Sequence, residues 1–266
     1  MNRDDVCAHL VRLIGQLEEA VRRTPRDLLR AALSVEHVVL SDLLPPEEED
    51  AVLADPRVAA VAGSCQRIFS DLESSIERSM AAVVRLGGAE LTWNPENVGQ
   101  HYIARYEHLA ACEIELARMT GDDTVLFIGS GFLPITAFEY VRQSGCRVDC
   151  VDFVPEAVEC SRRLAERVGM GDRVRIFQTR GESHDPAAYD VILVGVLAMP
   201  KPAIMSHLEV GVKHGCRVMC RTTYGLRQLI YKEASYERGA LRRLVPGERS
   251  VARGERVISA QLLIAS

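Results

Sequence analysis

Two glycines that follow an apolar segment are the first residues whose spacing suggests chemistry. The segment VLFI leads into Gly129-Ser130-Gly131, and a helix-like sequence follows at once. Glycines at these positions let the backbone turn sharply and approach a ligand without interference from a Cβ atom. A strand, a glycine turn and a helix together form the arrangement by which many chains hold nucleotide-containing cofactors.

An acidic residue after the next apolar segment supplies a second requirement. Asp152 is the last residue of the segment RVDCVD, where its carboxylate could accept hydrogen bonds from ribose hydroxyls. Phe153 follows and could lie against an adenine ring. These residues together indicate an adenosine-containing cofactor, and we expect Ser130 and Pro134 of the turn to contact it as well. The alternative interpretation makes Gly131 a plain strand-to-helix turn and Asp152 a helix cap ahead of Pro155.

The type of cofactor follows from what the glycine turn lacks. Pro134 stands where a dinucleotide fingerprint would have its third glycine, which allows a pyrophosphate to approach a helix N-terminus. S-adenosylmethionine has no pyrophosphate, so the turn favours it over a nicotinamide dinucleotide. After the third strand, Glu182 or Ser183 could contact the adenine, although Glu182 could equally be an ordinary surface residue.

The elements that must position these residues change character along the chain. The spacing of apolar residues predicts a helical domain over residues 1–119 and a Rossmann-like domain over 120–266. In the second domain, short apolar strands alternate with helices, which predicts a parallel sheet covered on both faces. The last segments read as a strand, a turn near Gly254 and a final strand. An antiparallel pair at this place is typical of the class I S-adenosylmethionine methyltransferase fold.

Composition excludes several classes of protein. The formal net charge of −5 over 266 residues gives no general attraction to nucleic acid or to an anionic membrane. No apolar segment approaches the length of a membrane span, and the acidic start does not resemble a signal peptide, so we expect a cytoplasmic protein. The eight cysteines contain no CxxC pair, and no other metal-ligand spacing occurs. We therefore predict reduced core cysteines and no metal.

Several segments together carry a resemblance to a known family. The segment VLFIGSGFLPITAFEY closely resembles the nicotianamine synthase signature, and VDFVPEAV, YDVILVGVLAMPKPAIMSHLEVGVKHG and CRTTYGLRQLIYK agree with that family in order. Upstream, QHYIARYEHLAACEIEL is similar to the family's segment ahead of the first strand. The likeness covers roughly residues 90–266 and is weaker in the N-terminal helices.

The resemblance implies transfer of the 3-amino-3-carboxypropyl (aminobutanoyl) arm of S-adenosylmethionine, with release of methylthioadenosine. Nicotianamine synthases transfer this arm repeatedly, whereas bacterial relatives that build opine-type metallophores, of the staphylopine and pseudopaline type, transfer it once, to histidine. The short chain and Phe132, which replaces the proline common after GSG in nicotianamine synthases, favour the histidine-using branch. An opine dehydrogenase would then act downstream.

The transfer needs a carboxylate to hold and deprotonate the incoming amine and a hydroxyl to orient the donor. The resemblance implies that a glutamate and a tyrosine ahead of the first strand have these roles, and Glu90 and Tyr106 are the candidates. Glu90 could instead be a surface acid beside a helix, and Tyr106 could be a core tyrosine.

Other residues are candidates for the acceptor and for the transferred arm. His37 and His101 could recognise an imidazole or a carboxylate, although a histidine on an apolar helix is more often a core residue. Arg221 and Tyr224 follow the fifth strand, where they could meet a carboxylate; alternatively, Arg221 pairs with a surface acid. We expect the segment that starts at Gly195 to form the floor under the arm.

Three other functions remain open from the sequence. A nicotianamine synthase would use the product arm of S-adenosylmethionine itself as acceptor. A small-molecule methyltransferase would fit the fold but would leave the GSGFLPIT and CRTTYGLR segments unexplained. A non-catalytic protein that binds S-adenosylmethionine is the fourth class. The apolar helices of the N-terminal part also make a homodimer plausible.

Overall fold

The N-terminal part of the protein is helical. The structure is a computed structural model that describes residues 2–85, 98–234 and 241–266, without the side chains of 83–85 and 98–103. A stripe of apolar side chains along the first helix is buried. The helices are α1 (Arg3–Ala20), α2 (Pro25–Leu40), α3 (Pro46–Leu53), α4 (Pro56–Arg85) and α5 (Val98–Ala117).

Local sequence signals explain where these helices begin. Thr24 caps α2 in a capping box with Asp27, and Pro25 occupies the first turn. Pro46 opens α3, and acidic residues fill its first turn. The segment ELTWNPENVGQHY is rich in turn-forming residues and predicts a connector, but α5 already begins within it at Val98.

The C-terminal part alternates strands and helices. A 3-10 helix (Gly181–Ser183) follows the third strand, and a second (Gly225–Leu229) follows the fifth. The other elements are β1 (Thr124–Ile128), α6 (Ile135–Ser144), β2 (Arg147–Asp152), α7 (Pro155–Arg167), β3 (Val174–Gln178), β4 (Val191–Val194), α8 (Lys201–Gly211), β5 (Arg217–Thr222), β6 (Leu244–Ser250) and β7 (Ser259–Ala265).

These strands form one sheet of seven strands in the order β3-β2-β1-β4-β5-β7-β6. The first five pair in parallel, and β6 pairs with β7 antiparallel. The predicted Rossmann-like α/β fold with an antiparallel terminal pair is therefore confirmed. The strand order reverses between β1 and β4, and ligands of such sheets bind beyond the carboxyl ends of the strands at this point.

The sheet is buried on both faces, which explains its continuous apolar strands. In β1, Val125 and Phe127 pack on one face with α5 and α6, whereas Leu126 and Ile128 pack on the other with α8. The cysteines follow the same alternation. Cys146 and Cys150 share the first face, and Cys216 and Cys220 share the second, since residues at even spacing along a strand face the same side.

The chain forms two compact units. The first contains residues 1–73, 222–233 and 251–259, and the second contains 74–221, 234–250 and 260–266. This division differs from the predicted boundary at residue 119, because α5 and the end of α4 belong with the sheet. The predicted boundary divides the chain by helix and strand content, whereas the two units are defined by contacts, so this boundary stays a prediction. Within the described ranges, every helix is too short or too polar to cross a membrane.

Candidate functional site

The turn after β1 has the geometry that a close ligand requires. Gly129 and Gly131 have φ angles of 77° and 69°, a conformation that side chains disfavour. A Cβ atom on Gly129 would lie 2.8 Å from the Cβ of Ala198, and one on Gly195 would lie 3.0 Å from the carbonyl oxygen of Gly129. The segment after β4 thus packs directly on the glycine turn.

The carboxylate of Asp152 ties this turn to the end of β2. Oδ2 accepts a hydrogen bond from the backbone N–H of Gly131 at 2.9 Å, and Oδ1 accepts one from Val154 at 2.9 Å. The second bond stabilises the start of α7, so part of the helix-cap interpretation holds. Each oxygen keeps a second lone pair, so the partly exposed carboxylate can still accept from a ribose.

The predicted adenine-contacting residues lie together at the ends of β2 and β3. The ring of Phe153 is 56% exposed, and the guanidinium of Arg180 lies 5.4 Å from its centroid. Arg180 also pairs with Glu182 at 3.6 Å. An exposed aromatic ring beside a carboxylate is a suitable surface for a purine, which needs stacking and a hydrogen-bond acceptor.

Gly181 and Pro134 shape the edges of this region. A Cβ on Gly181 would lie 2.3 Å from Cγ2 of Ile128, so only glycine lets the segment after β3 pass β1. Pro134 is buried and precedes the first residue of α6, and its carbonyl accepts a hydrogen bond from Phe138. Ser130 is also buried, at 4% exposure. The cofactor contacts of Ser130 and Pro134 stay predictions.

A glutamate that the sequence did not reveal reaches the glycine turn from α4. Oε2 of Glu77 accepts a hydrogen bond from the backbone N–H of Phe132 at 3.1 Å. The same oxygen lies 2.5 Å from the position that a Cβ on Gly131 would take. The carboxylate therefore lies against the turn, close to any ligand that the turn holds. Its only sequence signal is its place between the apolar residues Ile76 and Met80 on a long helix.

Tyr106 lies close to the same turn. Its ring packs on a cluster that contains Phe132 and Leu133, against which Ile76 and Met80 of α4 also pack. The guanidinium of Arg221 lies 5.9 Å from the centroid of the Tyr106 ring. The structure thus brings Tyr106 and the neighbours of Glu77 onto the residues directly after Gly131.

Arg221 belongs to a buried network. Its Nε and Nη2 donate to the two oxygens of Glu113 at 2.8 Å each, and Nη2 also donates to Thr136 at 2.9 Å. The hydroxyl of Tyr140 donates to the same carboxylate at 2.7 Å. Burial acts to lower the pKa of Arg221, but the charge and hydrogen bonds of Glu113 outweigh it, so the pKa is raised. The arginine does pair with an acid, as the alternative interpretation has it, but that acid is buried.

The remaining candidates belong to the first unit or lie outside the described residues. His37 is exposed on α2 in the first unit, where it lines an open groove of about 600 Å³ with Leu33 and Arg26. Tyr224 also belongs to the first unit and precedes the second 3-10 helix. Glu90 lies outside the described residues, as does the side chain of His101. The roles of all four stay predictions.

Six of the eight cysteines are buried, whereas Cys112 and Cys160 are partly exposed. Burial raises the pKa of Cys216 to about 12 and that of Cys220 to about 11, so both thiols stay protonated near neutral pH. Among the described side chains, no group of three histidines, cysteines or acids is placed to hold a metal ion.

Comparison with known proteins adds to this geometry. The family model described as "Nicotianamine synthase protein" matches residues 4–242. The L-histidine 2-aminobutanoyltransferase of Yersinia pestis is 29% identical over 136 residues, which cover 51% of this chain and 51% of that protein. The enzyme of the same name from Pseudomonas aeruginosa (strain ATCC 15692) is 26% identical over 137 residues, with the same shares covered. The chain thus spans about half the length of the curated relatives it matches.

A solved structure agrees over nearly the whole chain. A glutamate-to-glutamine variant of MtNAS in complex with S-adenosylmethionine superposes with a TM-score of 0.86 and 21% identity, covering 97% of each chain. At this identity the likeness establishes the fold. Together with the family match, it confirms the resemblance seen in the sequence.

Proposed function

Because this chain belongs to the nicotianamine synthase family, we propose that it transfers the aminobutanoyl arm of S-adenosylmethionine to the amine of L-histidine. The proposal rests on the position of the Glu77 carboxylate against the glycine turn. A carboxylate at that place suits an amine acceptor, which must lose a proton. The names of the Yersinia and Pseudomonas relatives support histidine as that acceptor.

Bound S-adenosylmethionine supplies a sulfonium, which is a good leaving group. The histidine amine forms a bond to the γ-carbon of the arm while the bond between that carbon and sulfur breaks. The electron pair of the broken bond stays on the sulfur of methylthioadenosine, and the amine loses a proton. The residues of the protein therefore have to position both reactants and accept that proton.

The described residues divide this work between them. Glu77 holds the incoming ammonium and accepts its proton, in place of or together with the predicted Glu90. Tyr106 orients the donor with its hydroxyl. Asp152 binds the ribose, and Phe153 with Glu182 contacts the adenine.

The part of the proposed site that binds the acceptor keeps the residues predicted from the sequence. We retain His37, His101 and Tyr224 as candidates for binding histidine. For Arg221 we propose a positioning role, because its Nε and Nη2 already donate to the two oxygens of Glu113. Its guanidinium lies 5.9 Å from the centroid of the Tyr106 ring. The proposal includes no metal.

The setting of the reaction forms part of the same proposal. All eight cysteines are free thiols, which suits the reducing cytoplasm. We propose that the product is an intermediate of an opine-type metallophore and that an opine dehydrogenase uses it next. We also propose a homodimer, as the apolar N-terminal helices suggested.

Product analysis tests the proposal. The purified protein is incubated with S-adenosylmethionine and L-histidine, D-histidine or no acceptor, and the products are identified by mass spectrometry. We expect methylthioadenosine and a histidine adduct that has gained one aminobutanoyl group, with L-histidine preferred. A product with several arms in the absence of histidine would instead establish nicotianamine synthesis. S-adenosylhomocysteine as the only nucleoside product would overturn the proposal in favour of methyl transfer.

A further inference from the structure

Lys201, the first residue of α8, is a buried cation whose hydrogen-bond partners are all backbone carbonyls. It is 4% exposed, and its Nζ donates to Gly195 at 2.8 Å, Val196 at 2.5 Å and Ala198 at 3.4 Å. An ammonium group has three donors and no acceptor, so three carbonyls match the charged form. A neutral amine would direct its lone pair at one of them. The arrangement therefore holds a positive charge inside the protein.

This charge differs from those of the other buried cations among the described residues. Arg221 pairs with Glu113, and Arg227 pairs with Asp42 at 3.2 Å. Within the described ranges, Lys201 has no carboxylate at ion-pair distance. Burial lowers the pKa of Lys201; Cys220 opposes this effect and Arg221 adds to it. The three carbonyls satisfy its N–H donors, but the charge has no counter-ion among the described residues, so an anionic ligand near it would be stabilised.

The position of the charge indicates which anion this is. Lys201 donates to three carbonyls of the segment of residues 195–198, and Gly195 and Ala198 of the same segment lie against Gly129 of the glycine turn. The N–H of Gly195 donates to the carbonyl of Ile128 at 2.9 Å, and a Cβ on Gly129 would lie 2.8 Å from the Cβ of Ala198. The ammonium is thus one hydrogen bond away from a residue that lies against the glycine turn. Coulomb attraction between the ammonium and an anion at the turn is strong where little water separates them.

We propose that Lys201 supplies the counter-charge for the carboxylate of the transferred arm and so selects donors that carry this carboxylate. The inference rests on the proposed function, because it takes S-adenosylmethionine as the ligand of the turn. Lys201 acts through the segment 195–198 and does not touch the reacting atoms. It is therefore a specificity-determining residue.

Binding measurements with three matched ligands test this inference. Isothermal titration calorimetry compares S-adenosylmethionine, its decarboxylated form, which lacks only the carboxylate, and methylthioadenosine, which lacks the arm. The proteins are wild type, Lys201→Gln, which can still donate to carbonyls, and Lys201→Arg, which keeps the charge. We expect Lys201→Gln to weaken binding of S-adenosylmethionine about tenfold, or about 1.4 kcal/mol. Binding of the other two ligands should change less than about twofold, and Lys201→Arg should keep the wild-type preference.

Two results would overturn the inference while the proposed function stands. Equal weakening of all three ligands by Lys201→Gln would show that the side chain only supports the segment. A wild-type protein that binds the decarboxylated form as tightly as S-adenosylmethionine would also reject it, even if the variants did not fold. A wild-type protein that binds no S-adenosylmethionine would overturn the proposed function itself, and the inference with it.

Discussion

The guanidinium of Arg221 and the carboxylate of Glu113 meet in a bidentate pair, in which two N–H groups each donate over 2.8 Å to a different oxygen. Both side chains are almost completely buried, at 3% and 0% exposure. The pair joins β5 to α5 directly below the ring of Tyr106. Bidentate geometry and two further hydrogen bonds to the network compensate for the cost of burying both charges.

Substitution of Glu113 by glutamine should therefore destabilise the protein strongly. We expect a loss of about 3–5 kcal/mol in the free energy of unfolding, because the variant leaves Arg221 charged and without its anion. Urea denaturation followed by circular dichroism measures the change. The matched control is Glu107→Gln, which removes an exposed pair with Arg142 and should cost less than about 1 kcal/mol. Similar losses in both variants would contradict a special role for the buried pair.

The carboxylate of Glu77 should matter for turnover more than for binding. Glu77→Gln keeps an oxygen that can accept from Phe132 but removes the charge and the proton acceptor. We expect kcat for arm transfer to fall about 10²- to 10⁴-fold, with the Kd for S-adenosylmethionine changed less than about threefold. Production of methylthioadenosine over time, together with calorimetry, measures both quantities.

A parallel series separates Glu77 from the glutamate predicted from the sequence. Glu90→Gln is assayed beside Glu77→Gln, and Glu159→Gln serves as the control, since Glu159 forms an exposed pair with Arg163 on α7. If only Glu90→Gln loses turnover, the assignment of the base to Glu77 is wrong. A loss in both variants would show that the two carboxylates share the work.

The fold was readable from the sequence, whereas the site was only partly so. The strands could be predicted because parallel strands buried on both faces are continuously apolar. Gly129, Gly131 and Asp152 could be predicted because their spacing along the chain is typical of a nucleotide-binding turn. Glu77 carries no such signal. Its approach to the turn depends on how α4 packs on Phe132 and Leu133, which is a long-range contact that local patterns do not contain.

Arg221 and Lys201 illustrate the same limit. The sequence places Arg221 correctly at the carboxyl end of β5, yet an arginine there can bind a ligand or pair internally. Only the fold brings Glu113, 108 positions away, to its side. Lys201 reads as an ordinary residue at the start of a helix, and its burial depends on the path of residues 195–198.

The glycine turn offers a test that separates backbone strain from side-chain contact. Gly131→Ala introduces a Cβ at a φ of 69° and places it 2.5 Å from Glu77, whereas Gly169 has a φ of 70° and open space around its Cβ position. Gly169→Ala should cost about 1–2 kcal/mol of stability from backbone strain alone. Gly131→Ala should cost more than this and should also weaken binding of S-adenosylmethionine. Thermal unfolding and calorimetry give the two numbers. If Gly131→Ala and Gly169→Ala lost the same stability and Gly131→Ala bound S-adenosylmethionine as wild type does, the Glu77 side chain would move away from the new methyl group without cost.

A pH dependence is expected where Glu209 of α8 meets the start of β6. Its carboxylate accepts hydrogen bonds from the backbone N–H groups of Arg242, Arg243 and Leu244 over 2.6–3.0 Å. Burial acts to raise the pKa of Glu209, but the amides of Arg243, Leu244 and Arg242 outweigh it, and the pKa is lowered from its usual value of 4.5. The ionised form thus favours the folded state. Its contribution is complete above the unfolded-state pKa and disappears as the pH falls through the lower, folded-state value.

Glu209→Gln should therefore destabilise the protein in a way that depends on pH. At pH 7 we expect a loss of about 1–2 kcal/mol, since hydrogen bonds to a charged acceptor are stronger than those to an amide. The difference between wild type and variant should shrink progressively as the pH falls below about 4.5, because the glutamate of the unfolded chain takes up a proton first and native Glu209 follows at its lower pKa. Urea unfolding at several pH values between 3 and 7 measures this difference, with Glu159→Gln as the control. A gap of constant size over this range would show that the side chain acts through packing, and the predicted role of its charge would be wrong.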